Sequence, residues 1–93
     1  MSMLQKLDGE ILQEIGVGIK NWRNQQKISQ IELAKYIGVG RSTIVNIESG
    51  KGINLSYFIK ILKYFQKEEQ LLKIFEINKI SPQKEFYKQK GNS

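Results

Sequence analysis

The sequence predicts a small all-α domain of five helices. Apolar residues recur at three- and four-residue intervals along most of the chain, and no run of four or more residues alternates as a half-buried strand would. Capping residues and glycines divide the pattern into short segments. Because 93 residues allow one compact core, we expect a domain over residues 15–77, an N-terminal extension over 1–14 and a flexible C-terminal tail over 78–93.

The first helix is predicted to begin near residue 15 and to end near residue 26. The apolar residues of its buried face are spaced i, i+4, i+7, and they are Ile15, Ile19 and Trp22. Gly16 and Gly18 weaken the start of this helix, since each costs about 1 kcal/mol relative to alanine inside a helix. We therefore interpret both as glycines of a turn or a terminus.

The second helix has a start signal and a stop signal. Ser29 is a suitable N-cap, and Glu32 three residues later completes a capping box. Gly38 ends the helix in the way of a left-handed C′ residue. The apolar and small residues between these signals are Ile31, Leu33, Ala34 and Ile37.

Three further elements follow a tight turn at Val39 and Gly40. A third helix is predicted over 41–49, with Ile44 and Ile47 facing inward. Asn54 can cap a fourth helix. The predicted buried stripe of that helix consists of Leu55, Phe58, Ile61, Leu62 and Phe65. A fifth helix is expected over 67–77, with Leu71, Leu72 and Phe75 as its apolar residues.

The second and third helices satisfy the requirements of a helix-turn-helix. That motif needs a small residue where the two helices cross, a glycine in the turn, and apolar residues that hold the second helix of the motif onto the core. Gln30, Ala34 and Gly38 follow one another at intervals of four residues. The inward apolar set is Val39, Ile44 and Ile47. Each of these residues is common alone, but the complete register indicates a helix-turn-helix.

Charge is concentrated in the middle of the chain. The net charge is +6, and residues 15–66 carry eight cations against only Glu32 and Glu48, which is also +6. Residues 1–14 carry a net charge of −2 and residues 67–93 a net charge of +2, so the charges of the two ends cancel. Such a basic domain suits an anionic partner, either nucleic acid or an acidic membrane surface, and the sign of the charge alone does not choose between the two.

The composition excludes several classes of chemistry. Cysteine and histidine are both absent, which removes disulfides, thiolate or imidazole metal sites and the commonest neutral-pH general base. We therefore predict no catalytic residues, no metal and no cofactor, and a protein that is not an enzyme. No apolar run approaches the roughly 20 residues that span a bilayer, and residues 1–10 lack the pattern of a signal peptide. The expected location is cytoplasmic, without a membrane partner.

Four stretches carry a resemblance to a known family, and they are Ile19-Lys20-Asn21-Trp22-Arg23, Ser29-Gln30-Ile31-Glu32-Leu33-Ala34, Gly38-Val39-Gly40-Arg41-Ser42-Thr43-Ile44 and Ile47-Glu48-Ser49-Gly50-Lys51. With them, residues 15–75 resemble the lambda-Cro/C1 (Xre-type) helix-turn-helix family of phage and bacterial repressors. The resemblance implies a five-helix, lambda-repressor-like fold and a homodimer on a palindromic operator in double-stranded DNA. It also implies that the third helix lies in the major groove.

The same resemblance suggests roles for individual residues. It implies base contacts by Arg41, Ser42 and Asn46. It implies phosphate contacts by Gln30, Thr43, Ser49 and Lys51. Arginine can bond guanine O6 and N7, and asparagine can bond adenine N6 and N7. Arg23 and Glu48 are expected to form a buried structural pair, as the family typically has there. The dimer interface is expected at the outward apolar edge of the last helix, formed by Leu71, Leu72 and Phe75 together with Tyr64.

The sequence thus predicts a homodimeric transcriptional regulator, a repressor, that binds specific DNA sequences. The alternative is an antitoxin that binds a toxin protein and represses its own operon, because residues 80–83 with Phe86 and Tyr87 resemble the tails of small Xre-type proteins encoded beside kinase-like toxins.

The chain departs from the family at Gly18 and Gly40, where a polar or basic residue is frequent, and near Ile53 and Gln66, where proline or glycine is frequent.

Overall fold

The computed structural model describes residues 6–76, and these residues form five α-helices joined by short turns. Helices α1 to α5 comprise Asp8–Gln25, Gln30–Ile37, Arg41–Glu48, Leu55–Tyr64 and Glu68–Leu72, and a 3₁₀ turn, Lys73–Phe75, follows α5. No strand occurs between residues 6 and 76. The predicted all-α, five-helix fold is confirmed.

Helix α1 begins earlier than the sequence suggested. It starts at Asp8 rather than near Ile15, and Asp8 and Glu10 place two carboxylates in its first turn, where the helix dipole favours negative charge. The Glu10 carboxylate also accepts a hydrogen bond of 3.0 Å from the Leu7 N–H. The helix therefore continues through much of the stretch that was expected to be an extension.

Gly16 and Gly18 lie inside α1, so their interpretation as turn or terminus glycines was wrong. Gly16 is buried where α1 crosses the end of α3. A Cβ added there would lie 2.5 Å from the carbonyl oxygen of Ile47 and 2.7 Å from that of Glu48. The missing side chain lets the two backbones pack directly, and this contact offsets the low helix propensity of glycine. A Cβ at Gly18 would meet nothing within 4 Å.

The predicted boundaries of α2 are confirmed by their hydrogen bonds. The Ser29 hydroxyl accepts from the Glu32 N–H at 3.0 Å, and the Glu32 carboxylate accepts from the Ser29 N–H at 2.6 Å. Gly38 has a φ of +82°, and its N–H donates to Ala34 O at 2.9 Å. Only glycine adopts this left-handed conformation without a steric penalty. The turn that separates α2 from α3 therefore depends on Gly38.

One apolar core holds α1 to α4 together. Its buried cluster consists of Ile19, Leu33, Ala34, Ile37, Ile44, Ile47, Ile61 and Phe65. Trp22 is half-buried against this cluster, with its ring centroid 5.5 Å from that of Phe65. Each large aliphatic or aromatic side chain buried in this way stabilises the fold by about 1.5–3 kcal/mol. The core therefore fixes α2 and α3 relative to α1 and α4.

The two last helices differ from the prediction in detail. The Asn54 side chain caps α4 by accepting from the N–H groups of Ser56 and Tyr57. Leu55, which was expected in the buried stripe, is 65% exposed, because it is the first residue of α4 and lies at the rim of the core. Helix α5 ends at Leu72 instead of continuing to residue 77. The predicted tail at 78–93 lies outside the described residues.

Candidate nucleic-acid interface

Helix α3 has one buried side and one exposed side. Ile44 and Ile47 are buried against the core, 0% and 3% exposed. Arg41, Ser42 and Asn46 are exposed on the other side, and Thr43 and Val45 are partly exposed. The structure thus brings the three residues predicted to contact bases onto the accessible side of one short helix.

The exposed side of α3 carries no negative charge. Glu48 is the only carboxylate in the helix, and its side chain is 4% exposed. Arg41, the first residue of α3, places a positive charge on this side of the helix. The accessible surface of α3 therefore combines hydrogen-bonding groups with a positive charge, which is the combination that suits DNA.

Glu48 is neutralised by Arg23 in the interior, as predicted. The Arg23 Nε and Nη2 atoms donate to the two Glu48 carboxylate oxygens at 2.7 and 3.0 Å. Arg23 Nη1 donates to Ile28 O at 2.9 Å. The hydrogen bond that Arg23 donates to Glu48 raises the pKa of Arg23 above its ordinary value, so the arginine stays charged. This pair joins α1 to the end of α3 and keeps the buried carboxylate from repelling an anionic partner.

Gln30, predicted to contact phosphate, has a contact that the sequence did not indicate. It is the first residue of α2, and its Nε2 atom donates to Glu48 Oε1 at 3.1 Å. This bond directs the amide nitrogen of Gln30 towards the end of α3. An amide nitrogen carries two hydrogens, so one hydrogen is left for another acceptor. Gln30 therefore stands beside α3 in a fixed orientation, at the N-terminus of a helix, where anions are favoured.

Of the other three residues predicted to contact phosphate, Thr43 lies in the first turn of α3, and Ser49 and Lys51 lie in the turn after that helix. The Ser49 hydroxyl donates to Asn46 O at 3.1 Å, so it must rotate before it can donate to a phosphate. Lys51 is exposed, and its N–H donates to the same carbonyl at 3.0 Å. Gly50, between them, has a φ of +84°. The turn thus projects one cation next to the exposed side of α3.

The predicted dimer residues form an exposed apolar end of the domain. Leu72 and Phe75 are 56% and 71% exposed, whereas Leu71 is half-buried. Ile74, which was not among the predicted interface residues, is also apolar and is 62% exposed. Its apolar side chain within the predicted fifth helix could have placed it in the predicted set. Tyr64 is half-buried, with its ring centroid 4.9 Å from that of Phe65.

Within residues 6–76, no three potential metal-ligating side chains come together. None of the helices there is long and apolar enough to cross a membrane.

A glycine-linked helix pair whose second helix exposes a side without carboxylates defines a helix-turn-helix DNA-binding domain. The chain belongs to the Cro/C1-type family of such transcriptional regulators, since the family profile described as helix-turn-helix matches residues 19–72. It is also similar to an uncharacterised HTH-type transcriptional regulator of Methanocaldococcus jannaschii, with 36% identity over 69 residues. The match covers 74% of this chain and 26% of that protein, so the chain spans about a quarter of the length of this relative.

Proposed function

We propose that this chain represses transcription as a homodimer bound to a palindromic operator in double-stranded DNA. The observation that carries the proposal is the exposed side of α3, which presents Arg41, Ser42 and Asn46 while Ile44 and Ile47 anchor the opposite side. The major groove of B-DNA accepts an α-helix, and each base pair shows a distinct set of donors and acceptors there. An exposed polar helix on a rigid scaffold can therefore distinguish sequences.

Each proposed base contact has a chemical basis. The Arg41 guanidinium offers two parallel donors to guanine O6 and N7, and the Asn46 amide offers a donor and an acceptor to adenine. Ser42 can donate to or accept from several base edges, so it contributes less discrimination. Arg41 and Ser42 are the first two residues of α3, and the N-terminal residues of such a helix are those that contact bases.

The proposed phosphate contacts lie on both sides of α3. Gln30 lies at the start of α2, Thr43 in the first turn of α3, and Ser49 and Lys51 after its end. Contacts to phosphate fix the register of a protein on the duplex without specifying its sequence. Lys51 would also release a counterion, so its contribution is expected to fall with salt concentration.

A homodimer would double the contacts of one short helix. Leu71, Leu72 and Phe75 are proposed to supply the interface, and the exposure of Leu72 and Phe75 supports this. In helix-turn-helix dimers the two half-sites are about one helical turn, roughly 34 Å, apart. Each protomer then places its α3 in one half-site, and binding to the palindrome depends on both contacts.

Selection of bound sequences from random duplex DNA tests this function directly. The expected result is one enriched palindrome with half-sites about 10 base pairs apart. A promoter carrying that palindrome across its start site should then be silenced when the protein is co-expressed. The absence of any enriched sequence would contradict specific binding. An enriched single half-site would contradict the dimer, and activation of the reporter would contradict repression.

The antitoxin hypothesis depends on residues 78–93, which lie outside the described residues. It requires a toxin protein encoded beside this chain. Co-purification of that protein with the full chain, and its loss when residues 78–93 are deleted, would favour this alternative.

A further inference from the structure

The outward face of α4 combines exposed apolar residues with positive charge. Leu55 and Ile59 are 65% and 39% exposed, and Lys60 and Lys63 are exposed beside them. No carboxylate occurs in α4, so its charge is +2. We call these four residues the α4 basic face.

The surface formed by α5 and the turn after it has the opposite charge. Glu68 and Glu69 are exposed in the first turn of α5, next to Leu72 and Phe75. Residues 68–76 contain three glutamates and one lysine, a net charge of −2. We call Glu68, Glu69, Leu72 and Phe75 the α5 acidic face.

Neither face is neutralised by another residue of the described range. In residues 6–76, the ion pairs are Lys6–Glu14 and Arg23–Glu48. The lysines of α4 and the glutamates of α5 therefore remain available to a partner, although the two helices follow each other in the chain.

We propose that two copies of this chain associate through these faces, so that the α4 basic face of each protomer packs on the α5 acidic face of the other. The inference rests on the homodimer of the proposed function. It adds that the residues of α5 and the turn after it in one protomer pack on the α4 basic face of the other. A two-fold axis generates two equivalent α4–α5 contacts. In each of them apolar side chains meet at the centre and lysines face glutamates at the rim.

Charge distinguishes this arrangement from packing of α5 on α5. The latter would bring the Glu68–Glu69 pairs of two copies together and would leave the lysines of α4 unpaired. Juxtaposed like charges oppose association, whereas complementary charges select the partner and fix the register. The α4–α5 arrangement satisfies the charges of both faces.

Charge reversal tests the proposal through oligomeric state alone, measured by sedimentation of the full chain without DNA. The first variant is K60E/K63E, and the second is E68K/E69K. Each variant has two faces of the same sign, so its dimer dissociation constant is expected to rise at least about tenfold above that of the wild type. An equimolar mixture restores both contacts and is expected to form a heterodimer. The fourfold variant K60E/K63E/E68K/E69K is expected to dimerise like the wild type.

The controls separate the possible failures. Far-UV circular dichroism and thermal unfolding verify that each variant folds, and all reversed residues are exposed. Variants that dimerise as tightly as the wild type, or a mixture that stays monomeric, would overturn the α4–α5 contact and leave the homodimer standing. A wild type that is monomeric both in solution and on the selected palindrome would overturn the homodimer itself.

Discussion

Replacement of Gly16 by alanine tests the contact between α1 and α3, and Gly18 provides a matched control in the same helix. On helix propensity alone, both substitutions should stabilise α1 by about 1 kcal/mol. The structure predicts opposite signs. A Cβ at Gly16 meets backbone oxygens of Ile47 and Glu48, whereas a Cβ at Gly18 meets nothing within 4 Å.

The expected magnitude follows from the distances. Ordinary contact begins at 3.4 Å, and the Cβ would lie 2.5 Å from Ile47 O, so α1 and α3 must separate by about 0.9 Å. Overpacking of this kind costs about 1–3 kcal/mol, and the rigid backbone of a helix end places Gly16→Ala near the upper value. After the gain in propensity, the net loss is about 2 kcal/mol. For a domain of this size, Tm should fall by roughly 8–16 °C, and Gly18→Ala should raise it by roughly 4–8 °C.

Thermal unfolding followed by far-UV circular dichroism measures both variants in the same buffer. Urea unfolding then gives the free energies, provided that the m-values agree. A rise in Tm for both variants, of similar size, would refute the close approach of α1 to the end of α3. A fall for both would refute the assignment of Gly18 to open space.

Two further predictions concern stability. Gln66 has a φ of +60°, a conformation that costs a non-glycine residue roughly 1–2 kcal/mol. Glycine removes this cost but loses about 0.4–1 kcal/mol through its larger conformational entropy in the unfolded chain. Gln66→Gly is therefore expected to stabilise the domain by about 0.5–1 kcal/mol and to raise Tm by roughly 4 °C, and an unchanged or lower Tm would contradict this. Glu48→Ala leaves Arg23 buried without its partner and is expected to lower the free energy of unfolding by about 3–5 kcal/mol, whereas the exposed Glu69→Ala should change it by less than about 0.5 kcal/mol. Equal losses in urea unfolding would show that the Arg23–Glu48 pair has no special role.

The turn between α2 and α3 was predictable because its chemistry is local. Ser29 and Glu32 cap each other across three residues, and Gly38 takes a conformation that other residues avoid. The same holds for the cap at Asn54. The periodic spacing of Ile44 and Ile47 likewise placed the buried side of α3, and with it the exposed side.

Features that depend on contacts between distant residues were not predictable from residue spacing, and the Arg23–Glu48 pair was expected only from the family resemblance. Gly16 resembled a helix breaker in the sequence, because the close packing that requires a glycine there becomes visible only where α1 meets the end of α3. The hydrogen bond from Gln30 to Glu48 joins residues 18 positions apart, and no spacing rule connects them. Leu55 fits the apolar period of α4, yet it is 65% exposed, whereas Ile61 and Leu62 of the same stripe are buried. Periodicity identifies a face, but tertiary packing decides how much of that face is buried.

The most direct test of the proposed function compares Arg41→Ala with Lys51→Ala at one fixed salt concentration. Binding should be measured on the selected palindrome, on its single-base variants and on unrelated duplexes. Arg41→Ala is expected to cost about 1–3 kcal/mol on the palindrome and to remove the preference at one base pair of each half-site. Lys51→Ala is expected to weaken binding to all sequences by the same factor and to reduce the salt dependence. Equal losses on every sequence from both variants would contradict the claim that the exposed side of α3 determines sequence specificity.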